Sequence, residues 1–198
     1  PNLLTTGSVL CGFVSIIYSF NESLIIAANL LLVAFVLDGL DGRVARMTKT
    51  TSEFGAQYDS LSDAVSFGVA PSVLLYQWFL KDVNFLINSW LELGVIISSL
   101  YLVSVLLRLA RFNTSKSNDF FIGLPCPLGA IFVSLSFTIS NKFGVDATAY
   151  KEIFVFITVL VSFLMISKFS YFSFKNFGGN EKIKFYWLFF VIFLLVIT

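Results

Sequence analysis

The stretch that decides the fold reads Asp38-Gly39-Leu40-Asp41-Gly42-Arg43-Val44-Ala45-Arg46 and continues, after a short linker, as Gly55-Ala56-Gln57-Tyr58-Asp59-Ser60-Leu61-Ser62-Asp63. It holds four of the seven aspartates in the chain, yet both of its flanks are strongly apolar. Residues 30–37 run without a charge into the first carboxylate, and residues 65–80 run without a charge away from the last. Carboxylates at the ends of membrane-type segments are unfavourable unless a partner neutralises them. The pattern therefore indicates a bound divalent cation.

The spacing of the acids predicts that they converge. Asp38 and Asp41 are three residues apart, so an α-helix places them on one face. Asp59 and Asp63 are four apart, which has the same effect. Two such helices facing each other would gather four hard oxygen ligands, a set that suits Mg²⁺, Mn²⁺ or Ca²⁺ rather than zinc. Small residues between the acids would let the helix backbones approach closely: Gly39, Gly42, Ala45, Gly55 and Ala56. The alternative, four surface acids on a hydrophilic loop, does not account for small residues at helical spacing.

Composition indicates an integral membrane protein. The 198 residues are 57% hydrophobic and only 13% charged, whereas a soluble domain has about 25% charged residues. At about 20 residues per span, the chain has room for six or seven helices and for no separate soluble domain. We therefore expect a single all-α domain over residues 1–198, a polytopic membrane helix bundle with no nucleic-acid partner. The absence of histidine excludes Ser-His-Asp triads, zinc–histidine sites and a phosphohistidine intermediate.

Seven apolar segments are predicted, over about 3–20, 24–46, 54–80, 91–112, 124–139, 153–166 and 185–197. Pro71 should kink the third segment. Residues 81–89 and 114–123 are predicted loops, and 168–184 form a polar link. When the linker 47–53 is placed in the cytoplasm, ten of the 13 lysines and arginines are cytoplasmic. This positive-inside bias predicts that the acidic motif lies on the cytoplasmic face of the cell membrane. The two cysteines, Cys11 and Cys126, are interpreted as buried structural thiols.

The acidic motif resembles the signature of a known enzyme family. Its pattern, Asp-x₂-Asp-Gly-x₂-Ala-Arg-x₈-Gly-x₃-Asp-x₃-Asp, is similar to that of the CDP-alcohol phosphotransferases. Eight fixed positions over 26 residues all match: Asp38, Asp41, Gly42, Ala45, Arg46, Gly55, Asp59 and Asp63. The resemblance implies transfer of a phosphatidyl or other phosphoalcohol group from a CDP-linked donor, with release of CMP. It also implies a homodimer with a six-helix core, to which the segment at 185–197 would add an extra C-terminal helix.

The resemblance further assigns roles to individual residues. Asp38, Asp41 and Asp59 would hold one or two Mg²⁺ or Mn²⁺ ions, with Ca²⁺ as a substitute. Asp63 would complete the second metal site and would act as the general base. The donor, CDP-diacylglycerol, would contact the motif and the Pro-Asn-x-x-Thr opening of the chain, whose polar residues are otherwise an ordinary helix cap. The predicted donor-binding residues are Asn2, Thr5, Gly42, Ala45, Arg46, Ser52 and Gly55.

Three further stretches narrow the acceptor. Residues 59–71, 108–113 and 123–127 resemble the members of this family that use L-serine, and the similarity covers residues 1 to about 127. Arg108 and Arg111, with Asn113, would contact the serine carboxylate. The arginines also fit a plainer interpretation, basic residues at the cytoplasmic end of a membrane span. A glycerol phosphate or inositol phosphate acceptor would favour arginines equally, so both stay open. A divalent-cation transporter is a remote alternative, because the polar residues cluster at one membrane face.

Overall fold

The computed structural model describes residues 2–48, 50, 52–83, 86–88, 91–114, 121–145, 149–167 and 170–171. The α-helices within these ranges are α1 (Asn2–Phe20), α2 (Leu24–Thr48), α3 (Glu53–Asp63), α4 (Ala70–Trp78), α5 (Leu93–Thr114), α6 (Cys126–Lys142) and α7 (Lys151–Ile166). A π-helical turn, Ala64–Val69, joins α3 directly to α4, so the described residues form six helical rods. The protein is an all-α membrane helix bundle, as the composition predicted.

Three of the described helices are long and apolar enough to cross a membrane by length and composition, namely α1, α2 and α5. Helices α6 and α7 are shorter, with 17 and 16 residues. The predicted boundaries lie close to the observed ones: segment one was predicted over 3–20, and segment two was predicted to end near Arg46, two residues before the end of α2. The seventh predicted segment, 185–197, and residues 172–184 of the link before it lie outside the described residues.

Two short β-ribbons lie in the connections between helices. The first pairs β1 (Leu86–Asn88) with β2 (Leu91–Glu92), and the second pairs β3 (Phe121–Ile122) with β4 (Ser170–Tyr171), both antiparallel. The prediction of a plain loop over 81–89 was wrong in part, because a 3₁₀ turn at Leu80–Asp82 and β1 occupy it. Such local pairing satisfies backbone polar groups in the connections.

The third rod, which consists of α3, the π-helical turn and α4, changes its hydrogen-bonding pattern in the middle. Pro71 has no N–H, so the carbonyl of Phe67, four residues earlier, has no α-helical partner. The Tyr101 hydroxyl of α5 donates to that carbonyl at 3.3 Å. Around this position the chain is π-helical, over Ala64–Val69. The proline signal therefore marks a local change of helix type at the residues that directly follow Asp63.

Helix α1 packs against both helices that carry the acids. The Ser8 hydroxyl donates to the Ala34 carbonyl of α2 at 3.1 Å, and the Ser66 hydroxyl of the π-helical turn donates to the Ser8 carbonyl at 3.1 Å. A Cβ at Gly12 would lie only 2.7 Å from the Cα of Ser66, so the two backbones approach closely at that point. Helix α1 thus fixes the mutual placement of α2 and the third rod.

Replacing Tyr101 by phenylalanine is expected to destabilise the fold by about 1–3 kcal/mol, because the buried Phe67 carbonyl loses its donor. Thermal unfolding of the purified protein in detergent would show this as a lower midpoint. Tyr150→Phe is the matched control, since the Tyr150 ring is exposed. Equal midpoints for the two variants would mean that the Tyr101 hydroxyl does not stabilise the third rod.

Candidate active site

Helices α2 and α3 bring the four predicted acids into one cluster. Asp38 and Asp41 lie in the second half of α2, and Asp59 and Asp63 lie in the second half of α3. One carboxylate oxygen from each of Asp38, Asp41 and Asp59 lies within 4.8 Å of the other two. The carboxyl groups of Asp63 and Asp38 lie close enough to interact directly. The spacings of three and four residues thus place both pairs on the facing sides of their helices.

The N-terminal turn of α1 orients the cluster. The Thr5 hydroxyl donates to Asp41 Oδ2 at 2.5 Å, and Asp41 is only 5% exposed. The Ser62 hydroxyl of α3 donates to the Thr5 carbonyl at 3.2 Å. Thr5 therefore contacts α2 through its side chain and α3 through its backbone. Thr5, which is predicted to contact the donor, thus also orients the Asp41 carboxylate.

The residues present fit a divalent cation. Asp59 Oδ1 and Asp63 Oδ1 are fully buried and have no hydrogen-bond partner among the described residues. An unpartnered buried carboxylate oxygen is unfavourable, and a cation between α2 and α3 would satisfy it. All four side chains offer oxygen ligands, which suit Mg²⁺ or Mn²⁺ better than zinc.

An open pocket of about 210 Å³ adjoins the acid cluster. All seven predicted donor-binding residues line it: Asn2, Thr5, Gly42, Ala45, Arg46, Ser52 and Gly55. Asp41 and Asp59 line it as well, so the pocket and the cluster share a wall. At Gly42, no described atom outside its chain neighbours and the backbone of its own helix lies within 4 Å of the position that a Cβ would take, so this backbone faces open space. The pocket can therefore admit a ligand that reaches the acids.

The start of α3 forms another wall of this pocket. The Ser52 side chain accepts a hydrogen bond from the Gly55 N–H at 3.0 Å and caps the helix. A Cβ at Gly55 would lie 3.2 Å from Ser52 Oγ and 3.6 Å from Asn2 Oδ1, so glycine lets these groups meet. The N-terminus of a helix favours an anion nearby. Thr50 and Ala56 also line the pocket. Neither was predicted to contact the donor, because Thr50 resembles the other polar linker residues and Ala56 stood out only as a small residue of the motif.

Of the three residues predicted to bind the acceptor, Arg108 interacts with one of the four acids. It is 8% exposed, and its guanidinium attracts the Asp63 carboxylate electrostatically. Its Nη1 donates to the Sγ of Cys126, the first residue of α6, at 3.0 Å. This thiol contact could not be predicted, since a cysteine in an apolar segment is usually a packing residue. Both cysteines are free thiols.

The other two predicted acceptor residues contact neighbouring helices. Arg111 Nη1 donates to the Ile166 carbonyl at 2.9 Å and to the Ser167 carbonyl at 3.4 Å, so it caps the end of α7. The Asn113 side-chain oxygen accepts a hydrogen bond from the Ser60 hydroxyl of α3 at 3.0 Å and is exposed. These contacts join α5 to α7 and to the helix that carries Asp59 and Asp63.

Comparison with known proteins defines the class. The profile of the CDP-alcohol phosphatidyltransferase family matches residues 1–164, and the chain belongs to this family. Members of the family generally depend on a divalent metal. The chain is 39% identical over 186 residues to the CDP-diacylglycerol–serine O-phosphatidyltransferase of Helicobacter pylori, covering 92% of this chain and 76% of that enzyme. It is 39% identical over 152 residues to the Mycobacterium leprae enzyme of the same name, covering 73% of this chain and 48% of that enzyme. It is 37% identical over 174 residues to the archaetidylserine synthase of Methanothermobacter thermautotrophicus, covering 86% and 68%.

Proposed function

We propose that this protein transfers the phosphatidyl group of CDP-diacylglycerol to the hydroxyl of L-serine, giving phosphatidylserine and CMP. The observation that carries the proposal is the pocket that shares Asp41 and Asp59 with the acid cluster, in a chain that belongs to the CDP-alcohol phosphatidyltransferases. The names of the relatives, two serine phosphatidyltransferases and an archaetidylserine synthase, support serine as the acceptor.

In this proposal the pocket holds the CDP end of the donor. Arg46 at its rim offers a planar cation to a phosphate oxygen, and the bare backbone at Gly42 and the capped start of α3 accept close approach of the diphosphate. Many large apolar side chains on the surface of the bundle are exposed. The acyl chains of the donor can therefore extend between helices into lipid along an apolar surface. Asp38, Asp41, Asp59 and Asp63 hold one or two Mg²⁺ or Mn²⁺ ions, with Ca²⁺ as a substitute. When bound, these cations neutralise charge on the diphosphate and on the CMP leaving group.

Asp63 acts as the general base in this reaction. It accepts the proton of the serine hydroxyl while the serine oxygen forms a bond to the β-phosphorus of the donor. The bond from that phosphorus to the oxygen that bridges to CMP breaks, and CMP leaves with the bonding electrons. The position of Asp63 supports the assignment: its Oδ1 has no hydrogen-bond partner among the described residues, and the Arg108 guanidinium lies near it. The chain has no histidine to carry a phosphatidyl group, which supports direct attack by the serine hydroxyl.

The placement of the site follows from the distribution of basic residues. With the α2–α3 linker in the cytoplasm, the positive-inside bias sets the acids and the pocket at the cytoplasmic face of the cell membrane. The protein works there as a homodimer, as the family resemblance implies. Protease protection of a tag placed in the linker, in sealed vesicles of known orientation, tests the sidedness.

An acceptor panel with labelled CDP-diacylglycerol tests the proposed function. L-Serine is expected to yield labelled phosphatidylserine and CMP at least about 100-fold faster than glycerol 3-phosphate or inositol phosphate, because a site built for one set of polar groups leaves those groups unpaired with another acceptor. Chelation of divalent cations should stop the release of CMP. Transfer to glycerol 3-phosphate or inositol phosphate in preference to serine would reassign the acceptor. No CMP release with any acceptor would overturn the proposed reaction.

A further inference from the structure

The contact between Arg108 and Cys126 places a cation against a buried thiol beside the acid cluster. Arg108 is 8% exposed and Cys126 is fully buried, and their Nη1 and Sγ atoms are 3.0 Å apart. Among the described residues, no carboxylate oxygen lies within 4.0 Å of an Arg108 nitrogen, so Arg108 has no ion-pair partner there at that distance. A buried guanidinium needs compensating contacts. A weakly accepting sulfur supplies only part of that compensation.

The remaining donors of Arg108 are open to a ligand. Its Cζ also lies 5.9 Å from the centroid of the Phe112 ring. The fully buried side-chain oxygens and nitrogens without a partner in the described part of the chain are Asp59 Oδ1 and Asp63 Oδ1. The unpaired N–H groups of Arg108 are therefore not sealed into the packing, although the side chain as a whole is buried.

The thiol has a defined orientation. Cys126 Sγ donates to the Val105 carbonyl, on the turn of α5 that precedes Arg108, at 3.8 Å. The S–H thus points to α5 backbone while a sulfur lone pair receives the Arg108 N–H. Pro125 and Gly123, which has φ +81°, set the entry into α6, so the backbone at Cys126 is fixed by local geometry. The sulfur therefore lies at a fixed point behind the guanidinium.

We propose that Cys126 is a positioning residue for the acceptor: its sulfur holds one edge of the Arg108 guanidinium so that the other edge receives the acceptor carboxylate next to Asp63. This inference rests on the proposed function, since it takes an amino acid as acceptor. A hydroxy amino acid has both groups that the arrangement addresses, a hydroxyl for Asp63 and a carboxylate for Arg108. A planar guanidinium binds a carboxylate best through two parallel N–H groups, and that geometry depends on how the plane is held.

Kinetics of cysteine variants test the proposal. Cys126→Ala and Cys126→Val, which remove the acceptor lone pair at smaller and similar volume, are expected to raise the KM for L-serine about tenfold. The KM for CDP-diacylglycerol should stay within about twofold of wild type, because the donor pocket is lined by other residues. Cys126→Ser keeps a hydrogen-bonding group and should restore the serine KM to within about threefold. Cys11→Ala, a change at the half-buried cysteine of α1, is the matched control and should match wild type.

A merely structural role for Cys126 predicts a different result. It would raise both KM values together or lower the unfolding midpoint without changing the ratio of the two KM values. Either folded variant, alanine or valine, with a wild-type serine KM overturns the proposal. If the wild-type protein does not use serine at all, it is the proposed function that fails, and the same data distinguish the two failures.

A spectroscopic readout does not depend on any variant of Cys126. The chain has two cysteines, so Cys11→Ala leaves Cys126 as its single thiol. Infrared absorption of the S–H group is expected to shift when L-serine is added to this protein in the presence of donor and Mn²⁺, because the Arg108 N–H that the sulfur accepts is polarised by the bound carboxylate. An S–H band that stays unchanged while serine is turned over would contradict the proposal.

Discussion

Replacing Asp63 by asparagine is expected to lower kcat by about 10²–10⁴-fold while binding of CDP-diacylglycerol partly survives. The amide has nearly the shape of the carboxylate but cannot take up the serine proton. Three acids of the cluster remain in Asp63→Asn, and their oxygens already lie within 4.8 Å of one another. The pocket for the donor is lined by other residues and should be unchanged. Release of labelled CMP measures kcat, and equilibrium binding of labelled donor in the presence of Mn²⁺ measures the affinity for CDP-diacylglycerol.

Glu53→Gln is the matched control for this prediction. It removes one negative charge from the same helix, but Glu53 is exposed in the first turn of α3, away from the acid cluster. A difference between the two variants therefore reports position and not charge. Near-normal turnover in Asp63→Asn would show that Asp63 is not the base. An equal loss of donor binding and turnover would assign Asp63 to the metal site alone.

The first two helices could be predicted almost to the residue because their ends are chemical boundaries. Segment one closes at the polar Asn21-Glu22-Ser23, and α1 ends at Phe20. The change of helix type in the third rod was harder to predict, since the run 65–80 is apolar both within the π-helical turn and after it. Pro71 signalled that a backbone hydrogen bond is missing. The Tyr101 hydroxyl replaces the missing donor. This replacement depends on how α5 packs against the third rod, which the residues around Pro71 do not determine.

The acid cluster could be predicted because helical spacing fixes which side chains share a face, and the cluster then forms if the two helices face each other. The acceptor side lacks such a constraint. Arg108 and Arg111 are three residues apart and look equivalent in sequence, yet one contacts Cys126 and the other the last carbonyls of α7. Their partners lie 18 and 55 residues away along the chain. Only the tertiary packing of α5 against α6 and α7 separates the two arginines.

Replacing Asp38 by asparagine is expected to weaken Mn²⁺ binding by about a hundredfold or more and to weaken donor binding with it. Changes in the outer shell of a metal site already reduce affinity by about 10–100-fold, and Asp38 would be a direct ligand. Asp38 also joins the two pairs of acids, since it lies beside Asp41 and Asp59 and contacts the Asp63 carboxyl group. Titration with Mn²⁺ followed by electron paramagnetic resonance measures the affinity for the metal, and equilibrium binding of labelled CDP-diacylglycerol measures the affinity for the donor.

The control for Asp38→Asn is Glu152→Gln, an equal loss of charge at an exposed residue in the first turn of α7. The comparison with Asp63→Asn is the sharper one. If the acids hold shared cations that grip the diphosphate, metal and donor affinities fall together in Asp38→Asn, whereas Asp63→Asn loses mainly kcat. If Asp38→Asn binds Mn²⁺ and donor as the wild type does, the convergence of the four carboxylates is not a cation site, and the donor must be held by the pocket residues alone.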